Sequence, residues 1–320
     1  MKCRVCREPA VIDLRRHNAN FCSEHFLRYC RQQAERAIAD FEMLRPDDRI
    51  LIAVSGGKDS LALWDLLIEL GYNADGLYVG LGIDDYSDVA HGYVKAFVEE
   101  RSLNLITVDL RLRYGFDVPT AADSTRRVPC SACGLSKRHI FDKAAIDGRY
   151  DAVVTGHNLD DEAAVLYGNV LRWQVDYLGR QRPVLEARAG FPRKAKPLVR
   201  LTERETAAYC VLRGIDYQVE ECPMAAGNRH LAFKEVLNRL EEQSPGSKTE
   251  FYFGFLKRAA DRFDHREDDG PLRRCTRCGS PTDSDVCAFC RLMARAGASE
   301  TGPESMTLEG TTPPSATSPG

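Results

Sequence analysis

Residues 49–60 read Arg-Ile-Leu-Ile-Ala-Val-Ser-Gly-Gly-Lys-Asp-Ser (RILIAVSGGKDS), and this stretch decides the fold class. Arg49–Val54 is a short apolar run with β character, as expected of a strand buried on both faces. Lys58–Tyr72 follows with Leu61, Leu63, Leu66, Leu67 and Leu70 at near-helical spacing, so a helix opens where the glycines end. A glycine-rich turn between strand and helix suits a phosphate, because free backbone N–H groups and the helix dipole both face the anion. Gly56 and Gly57 let a backbone come close, Ser55 and Ser60 offer hydroxyls, and Lys58 adds charge. The spacing fits neither the Walker loop nor the GxGxxG dinucleotide fingerprint. A tight turn with no ligand is the plainer reading of the same residues.

Outward from this loop the chain alternates. Leu77–Leu81 reads as a strand, Ser87–Arg101 as a helix and Leu103–Leu110 as a strand. Arg111–Pro129 reads as a charged loop, Cys133 to Gly148 as a helix, Ala152–Thr155 as a strand and Leu159–Trp173 as a helix. Thr202–Gly214 reads as a helix and Ile215–Val219 as a last strand. Strands separated by helices predict right-handed crossovers and a parallel sheet flanked by helices, an α/β fold. Ala232–Gln243 and Glu250–Phe263 read as two more helices, followed by an acidic linker at residues 267–270. From Gly297 onward Ser, Thr, Pro, Gly and Glu dominate, which predicts a disordered tail.

The chain has 320 residues, enough to bury a core without disulfides. No apolar run nears the roughly 20 residues of a membrane span, and the opening MKCRVC lacks a signal core, so a cytoplasmic protein is expected. The net charge of -3 argues against a strongly basic nucleic-acid binder, but Glu300, Glu304 and Glu309 of the tail account for the whole excess. The twelve cysteines do not fit a bland cytosolic composition. In a reducing compartment they are better metal ligands than disulfides.

Cys3-x2-Cys6 with Cys22-x2-His25, and Cys275-x2-Cys278 with Cys287-x2-Cys290, are paired turns of the kind that close on tetrahedral zinc. Four ligands leave no open position, so both read as structural. At the first site His17 or Cys30 competes with His25. Cys130-x2-Cys133 stands apart at the head of a helix, with Cys222 or Cys210 as distant partners. Cys210 lies within a helical pattern and reads as a small buried hydrophobe, while Cys222 sits in a loop. Spacing alone leaves a redox pair and an iron–sulfur cluster with an open iron equally good.

SGGKDS after a first strand resembles the PP-loop of ATP pyrophosphatases. Together with Cys130-Ser-Ala-Cys133, Lys137, Gly156-His-Asn-Leu-Asp-Asp-Glu162, Cys222 and two terminal knuckles, it resembles the TtuA-type tRNA 2-thiouridine synthetases, relatives of the TtcA enzymes. The likeness covers residues 1–292. It implies a PP-loop ATP pyrophosphatase fold with zinc knuckles at both ends and a small C-terminal helical region. The implied domains are residues 1–28 (zinc finger), 29–225 (catalytic), 226–268 (helical), 269–296 (zinc finger) and 297–320 (tail).

The resemblance implies ATP, with Mg²⁺, on Ala53, Ser55, Gly56, Gly57, Asp59, Ser60, Val79, Lys137, Gly156 and Asp161. Catalytic roles fall to Lys137, Asp161 and Ser55. Asp160 and Asp161 could hold Mg²⁺, although both, with Glu162, also read as carboxylates favoured at a helix start. Gly156 would permit close ligand approach, and His157 is secondary. Lys137 lies one turn after Cys133 on the same helix face, which places a cation beside that cysteine. Cys130, Cys133 and Cys222 would hold a [4Fe–4S] cluster with one free iron. The implied chemistry is adenylation of the uridine 2-oxygen and its replacement by a sulfide held on that iron, giving 2-thiouridine, with 5-methyl-2-thiouridine in the T loop favoured.

Arg180, Arg182, Arg188, Arg193, Lys194, Lys196 and Arg200 stand against one acid, Glu186, a stripe suited either to tRNA phosphates or to a solvated loop. Arg31, Arg36 and Arg45 add a scattered basic face. The implied partners are tRNA, a ubiquitin-like thiocarboxylated carrier or a cysteine desulfurase, and a second copy in a homodimer. Wobble-uridine or cytidine thiolation, a PP-loop amide or lysidine synthetase, and a non-enzymatic zinc-knuckle RNA-binding protein are the rival readings.

Overall fold

The computed structural model describes residues 1–225, 228–264 and 272–298, and the backbone of 306–309. The chain opens with a small hairpin, β1 (Ile12–Leu14) against β2 (Ala19–Phe21), and helix α1 (Ser23–Asp40). The central layer then begins with β3 (Ile50–Val54), α2 (Lys58–Glu69), β4 (Ala74–Gly80), α3 (Asp84–Arg101) and β5 (Leu105–Asp109). Short helices α4 (Leu110–Tyr114) and α5 (Val118–Thr125) lead to α6 (Pro129–Asp147), β6 (Ala152–Thr155), α7 (Leu159–Leu171) and α8 (Val175–Gly179). After them come β7 (Val184–Leu185), β8 (Arg193–Ala195), α9 (Glu203–Arg213), α10 (Arg229–Gln243) and α11 (Ser247–Arg258). The C-terminal knuckle contains β9 (Arg273–Arg274), β10 (Pro281–Thr282) and α12 (Ala288–Arg295), and β11 (Met306–Glu309) is last.

One sheet has the order β11-β5-β4-β3-β6-β8-β7. From β5 through β8 every pairing is parallel, and only the edge strands β7 and β11 run antiparallel. Such a sheet must be covered on both faces, and the side chains of β3 sort accordingly. Ile50, Ile52 and Val54 join a core with α1, α2, α3, α7 and α9 residues. Leu51 joins Leu77, Val79, Ile106, Val108 and Val153 in a second core, closed by α5, α6 and α12. Trp64 of α2 packs so tightly over Gly76 that a Cβ there would lie 2.2 Å from its ring.

From β3 the chain crosses through α2 to β4 on one side, and β6 later pairs with β3 on the other. The loops after β3 and β6 therefore leave the same edge of the sheet where the strand order turns back, the place at which open α/β sheets form a binding crevice.

Several expectations need correction. Arg111–Pro129 is not a loop. The Asp109 carboxylate accepts from the Leu112 amide at 2.9 Å and the Asp117 carboxylate from the Thr120 amide at 2.7 Å, capping α4 and α5. Ile215–Val219 is not a strand, because β8 takes the place beside β6; the Gln218 amide instead donates to the Gly56 carbonyl at 2.9 Å. The segment read as a disordered tail contains β11, which pairs with β5 from Met306↔Val108 to Glu309↔Leu105. The acidic linker at residues 267–270 lies outside the described residues, as does most of the tail. No helix among the described residues is long and apolar enough to cross a membrane.

The N-terminal knuckle is anchored by one buried ion pair. Arg16 is 2.6 Å from Glu205 of α9, and its guanidinium also donates to the Arg200 carbonyl and the Tyr29 hydroxyl, both at 2.9 Å. Removing one partner of a buried pair costs about 3–5 kcal/mol, because a charge is left uncompensated. Arg16→Met should therefore lower the urea midpoint sharply, whereas truncating the exposed Arg239, which pairs with the exposed Glu235 one turn away, should barely move it.

Candidate active site and metal centres

The loop after β3 is built by its own residues. Gly56 sits at φ +78°, and a Cβ there would lie 2.6 Å from the Ala90 carbonyl oxygen of α3, so conformation and space both demand glycine. The Ser60 hydroxyl accepts from the Ser55 amide at 3.1 Å and donates to the Gly57 carbonyl at 2.9 Å, bracing the turn. Gly57, the N-cap of α2, contributes no capping side chain, so the first amides of α2 remain available to an anion. Ala53 and Val79 lie near the C-terminal ends of β3 and β4, beside this loop.

The loop after β6 presses against it. A Cβ on Gly156 would fall 2.8 Å from the backbone carbon and oxygen of Asp59 and the amide nitrogen of Ser60. The close approach expected here for a ligand is thus made by the neighbouring loop. Asn158 and Asp161 form a reciprocal capping box, each side chain accepting the other's amide at 3.1 Å. The Asn158 side-chain amide also donates to the Asp59 carboxylate at 3.0 Å, and the Thr206 hydroxyl donates to the same oxygen.

Charges alternate around this junction. Lys58 reaches Asp59 at 3.1 Å and Glu203 at 2.8 Å. Lys234 of α10 reaches Asp161 at 2.6 Å and Glu203 at 3.1 Å. Burial alone would raise the Asp161 pKa, but hydrogen bonding from His230 and the charge of Lys234 outweigh it and hold the carboxyl well below the usual range. Asp59 goes the other way: burial pushes it up against the pull of Lys58. Asp160 is buried, accepts from the Glu203 amide at 2.9 Å and pairs with Lys248. It therefore serves structure, and its carboxylate has no free edge for Mg²⁺. Glu203, Thr206, Lys234 and Lys248 escaped the sequence reading, since each looks like an ordinary helix residue; only the capping pattern Thr202-x-x-Glu205 marked the start of α9.

Cys130 and Cys133 occupy the first turns of α6, and the loop carrying Cys222 packs against that end. The Cys130 thiol faces the Met224 carbonyl at 3.8 Å and the Asn228 side-chain amide at 3.9 Å. Burial raises the Cys133 thiol; Lys137 lowers it, while Cys222 and Cys130 raise it further, as near neighbours do. Lys137 has no carboxylate partner among the described residues. The three sulfurs do not form one of the compact ligand groups whose atoms lie within 4.8 Å. They are thus not gathered for one tetrahedral ion, and three thiolates with no fourth protein ligand among the described residues are the donor chemistry of a cluster that keeps one iron open.

The compact groups are the two knuckles. Cys3, Cys6, Cys22 and His25 form one and Cys275, Cys278, Cys287 and Cys290 the other. A Zn–S bond of about 2.3 Å places tetrahedral sulfurs about 3.8 Å apart. Cys6 and Cys22 are 3.7 Å apart, as are Cys278 and Cys287. His25 turns Nδ1 toward Cys22 at 3.1 Å. His17 is instead hydrogen-bonded to the Tyr29 hydroxyl at 2.9 Å, and Cys30 is buried in the core.

The basic stretch of residues 180–200 is mostly spent internally. Arg182 pairs with Asp261, Arg193 with Asp48 and Glu186, Lys194 with Asp142, Lys196 with Glu162 and Arg200 with Asp40. Apart from Glu186, these partners are carboxylates from elsewhere in the fold, so the stripe is not a free phosphate-binding surface.

Residues 2–27 match the family model described as the N-terminal LIM domain of 2-thiouridine synthetase TtuA. A tRNA-5-methyluridine(54) 2-sulfurtransferase of Thermus thermophilus is 49% identical over 91% of each chain. A protein of the same name from Pyrococcus horikoshii is 41% identical over 91% of this chain and 93% of its own. Among solved structures, the U34-tRNA thiolase NcsA of Methanococcus maripaludis, with its [4Fe-4S] cluster, superposes with a TM-score of 0.77 at 25% identity, over 91% of this chain and 95% of its own.

The contact between the two loops is directly testable. Gly156→Ala should destabilise the protein by about 1–3 kcal/mol in urea denaturation, since the new methyl meets backbone rather than a movable side chain. Gly92, in α3 with open space around it, is the control: Gly92→Ala should be neutral or slightly stabilising.

Proposed function

The chain belongs to the tRNA-5-methyluridine(54) 2-sulfurtransferase family, and we propose that it adenylates the 2-oxygen of a tRNA uridine and replaces that oxygen with sulfur. It is an enzyme of the transferase class. The observation that carries the detailed reading is the convergence at one end of the sheet of the anion-ready loop Ser55–Ser60 and the capped loop Gly156–Asp161, with the Cys130, Cys133 and Cys222 thiols at the head of α6 nearby. Position 54 of the T loop is the target favoured, because the relatives named for that position share far more sequence than the U34 thiolase does.

In this reading ATP enters with Mg²⁺ held by its own phosphates and water, since Asp160 and Asp161 are already committed to protein partners. The amides of Gly57, Lys58, Asp59 and Ser60 receive the phosphates, with the Ser55 hydroxyl at the mouth and adenine against Ala53 and Val79. The uridine oxygen attacks the α-phosphorus, pyrophosphate leaves, and AMP departs when sulfur takes the oxygen's place. Lys137 offers positive charge where negative charge gathers on the phosphates, and Asp161 orients the nucleotide. A [4Fe–4S] cluster on Cys130, Cys133 and Cys222 would supply an iron without a protein ligand, able to hold inorganic sulfide. Zinc would fill both knuckles. We place the enzyme in the cytoplasm as a homodimer, drawing sulfur from a thiocarboxylated carrier or a cysteine desulfurase.

Anaerobic reconstitution should load about four irons per chain, and tRNA incubated with ATP and sulfide should yield 5-methyl-2-thiouridine by nucleoside mass spectrometry. Cys222→Ala should lose iron and thiolation together. A variant that kept both would overturn the cluster assignment, and pyrophosphate release that no tRNA stimulates would overturn the activity. Elemental analysis should find two zinc ions per chain, with Cys287→Ser losing one and the iron-free fold weakened around α6, against which that knuckle packs.

A further inference from the structure

Six residues close a ring around the nucleotide loops. Lys58 binds Asp59, whose other oxygen accepts from Asn158 at 3.0 Å. Asn158 and Asp161 cap each other, Asp161 binds Lys234, Lys234 binds Glu203, and Glu203 returns to Lys58. Five of the six lie on the loops after β3 and β6 or at the start of α9. Lys234 alone comes from α10, beyond every recognisable motif. It spans Asp161 Oδ1 and Glu203 Oε2, while the second oxygen of Asp161 takes the Asn158 amide and that of Glu203 takes Lys58.

We propose that Lys234 is a positioning residue of the nucleotide site, fixing the Asp161 carboxylate against the phosphate loops and, through Glu203, aiming Lys58. Without it two carboxylates would face each other across a half-buried gap. One of them would swing away or take a proton, and either change unseats a group beside the phosphates. Helix α10 does not need this ion pair in order to dock. Phe233 packs on Gly168 of α7 so closely that a Cβ there would lie 2.6 Å from its ring, the Phe233 ring meets Tyr167 edge-on at 5.6 Å, and Leu237 is buried in the core. Apolar packing holds the helix, which leaves Lys234 free to serve the site. A tethered lysine also suits the task sterically, because its single ammonium can bridge two carboxylates from different elements.

The inference rests on the adenylation reading, and the experiment separates the two. Pyrophosphate release is measured on the reconstituted holoenzyme with tRNA, for the wild type, Lys234→Met and Lys234→Arg, each with its melting temperature and iron content. Lys234→Met should lower kcat by about tenfold or more and change the KM for ATP by less than about threefold, with iron unchanged, when assayed well below a melting temperature that falls because two carboxylates lose their shared cation. Lys234→Arg, which restores the charge and can bridge the same carboxylates, should recover most of the loss. A Lys234→Met enzyme with wild-type kcat would overturn the assignment. So would a loss that vanishes when the assay temperature is lowered further below the variant's melting temperature, or one that Lys234→Arg does not relieve. A wild-type enzyme that releases no pyrophosphate counts against the adenylation reading instead.

Discussion

The site depends on one steric constraint, the backbone-to-backbone contact of the loops after β3 and β6. Parallel strands β3 and β6 are neighbours, so their C-terminal loops must leave the same edge of the sheet side by side. Only a residue without a side chain lets Gly156 lie against Asp59 and Ser60, and only that closeness brings the Asn158 amide within reach of Asp59. Once the loops touch, α2 and α7 start from the same place. The positive ends of two helix dipoles then converge on the crevice.

Such convergence concentrates charge, and the fold answers by pairing nearly every charge it buries. Asp65 is shared by Arg101, Arg213 and Tyr209; Glu162 by Lys196, Gln181 and Tyr252; Asp160 by Lys248 and the Glu203 amide. An unpaired carboxylate in these positions would cost more than the pair gains over an apolar substitute, so the pairs specify geometry more than they add stability. This is why the basic residues of 180–200 are no longer free. Five of them pair with acids on α1, α6, α7 and the segments before β3 and after α11.

The strands and helices of the central layer were legible because a parallel sheet writes continuous apolar runs and its helices write near-helical spacing. Ala152–Thr155 matches the structure residue for residue, and the helix starts at Lys58 and Leu159 fall where glycine and asparagine mark them. Both knuckles were legible from ligand spacing, and the choice of His25 over His17 needed the fold to hand His17 to Tyr29. What stayed hidden was decided by tertiary competition. Ile215–Val219 has strand chemistry, but a short strand from a basic stretch reached the sheet first. Asp161 reads equally as a cap and as a site residue, and it is both: its amide and one carboxylate oxygen make the cap, while the other oxygen meets Lys234. No periodicity could place Lys234 there, since its partners lie dozens of residues upstream.

Helix α6 ties the metal centres into the same frame. Its first turns carry Cys130, Cys133 and Lys137, and its middle carries His139, on which Phe289 of α12 stacks at 4.1 Å with the planes 11° apart. Phe289 also meets Tyr114 edge-on, and α12 itself supplies Cys290 to the C-terminal knuckle. The knuckle is therefore a buttress. The four cysteines gather around the start of α12, α12 packs on the flank of α6 through an aromatic stack, and α6 carries Cys130 and Cys133 in its first turns. At the other end Arg16 does the equivalent work, binding the first knuckle to Glu205 on α9, whose neighbours Glu203 and Thr206 contact Lys58 and Asp59. A small domain at each end thus braces one side of the crevice.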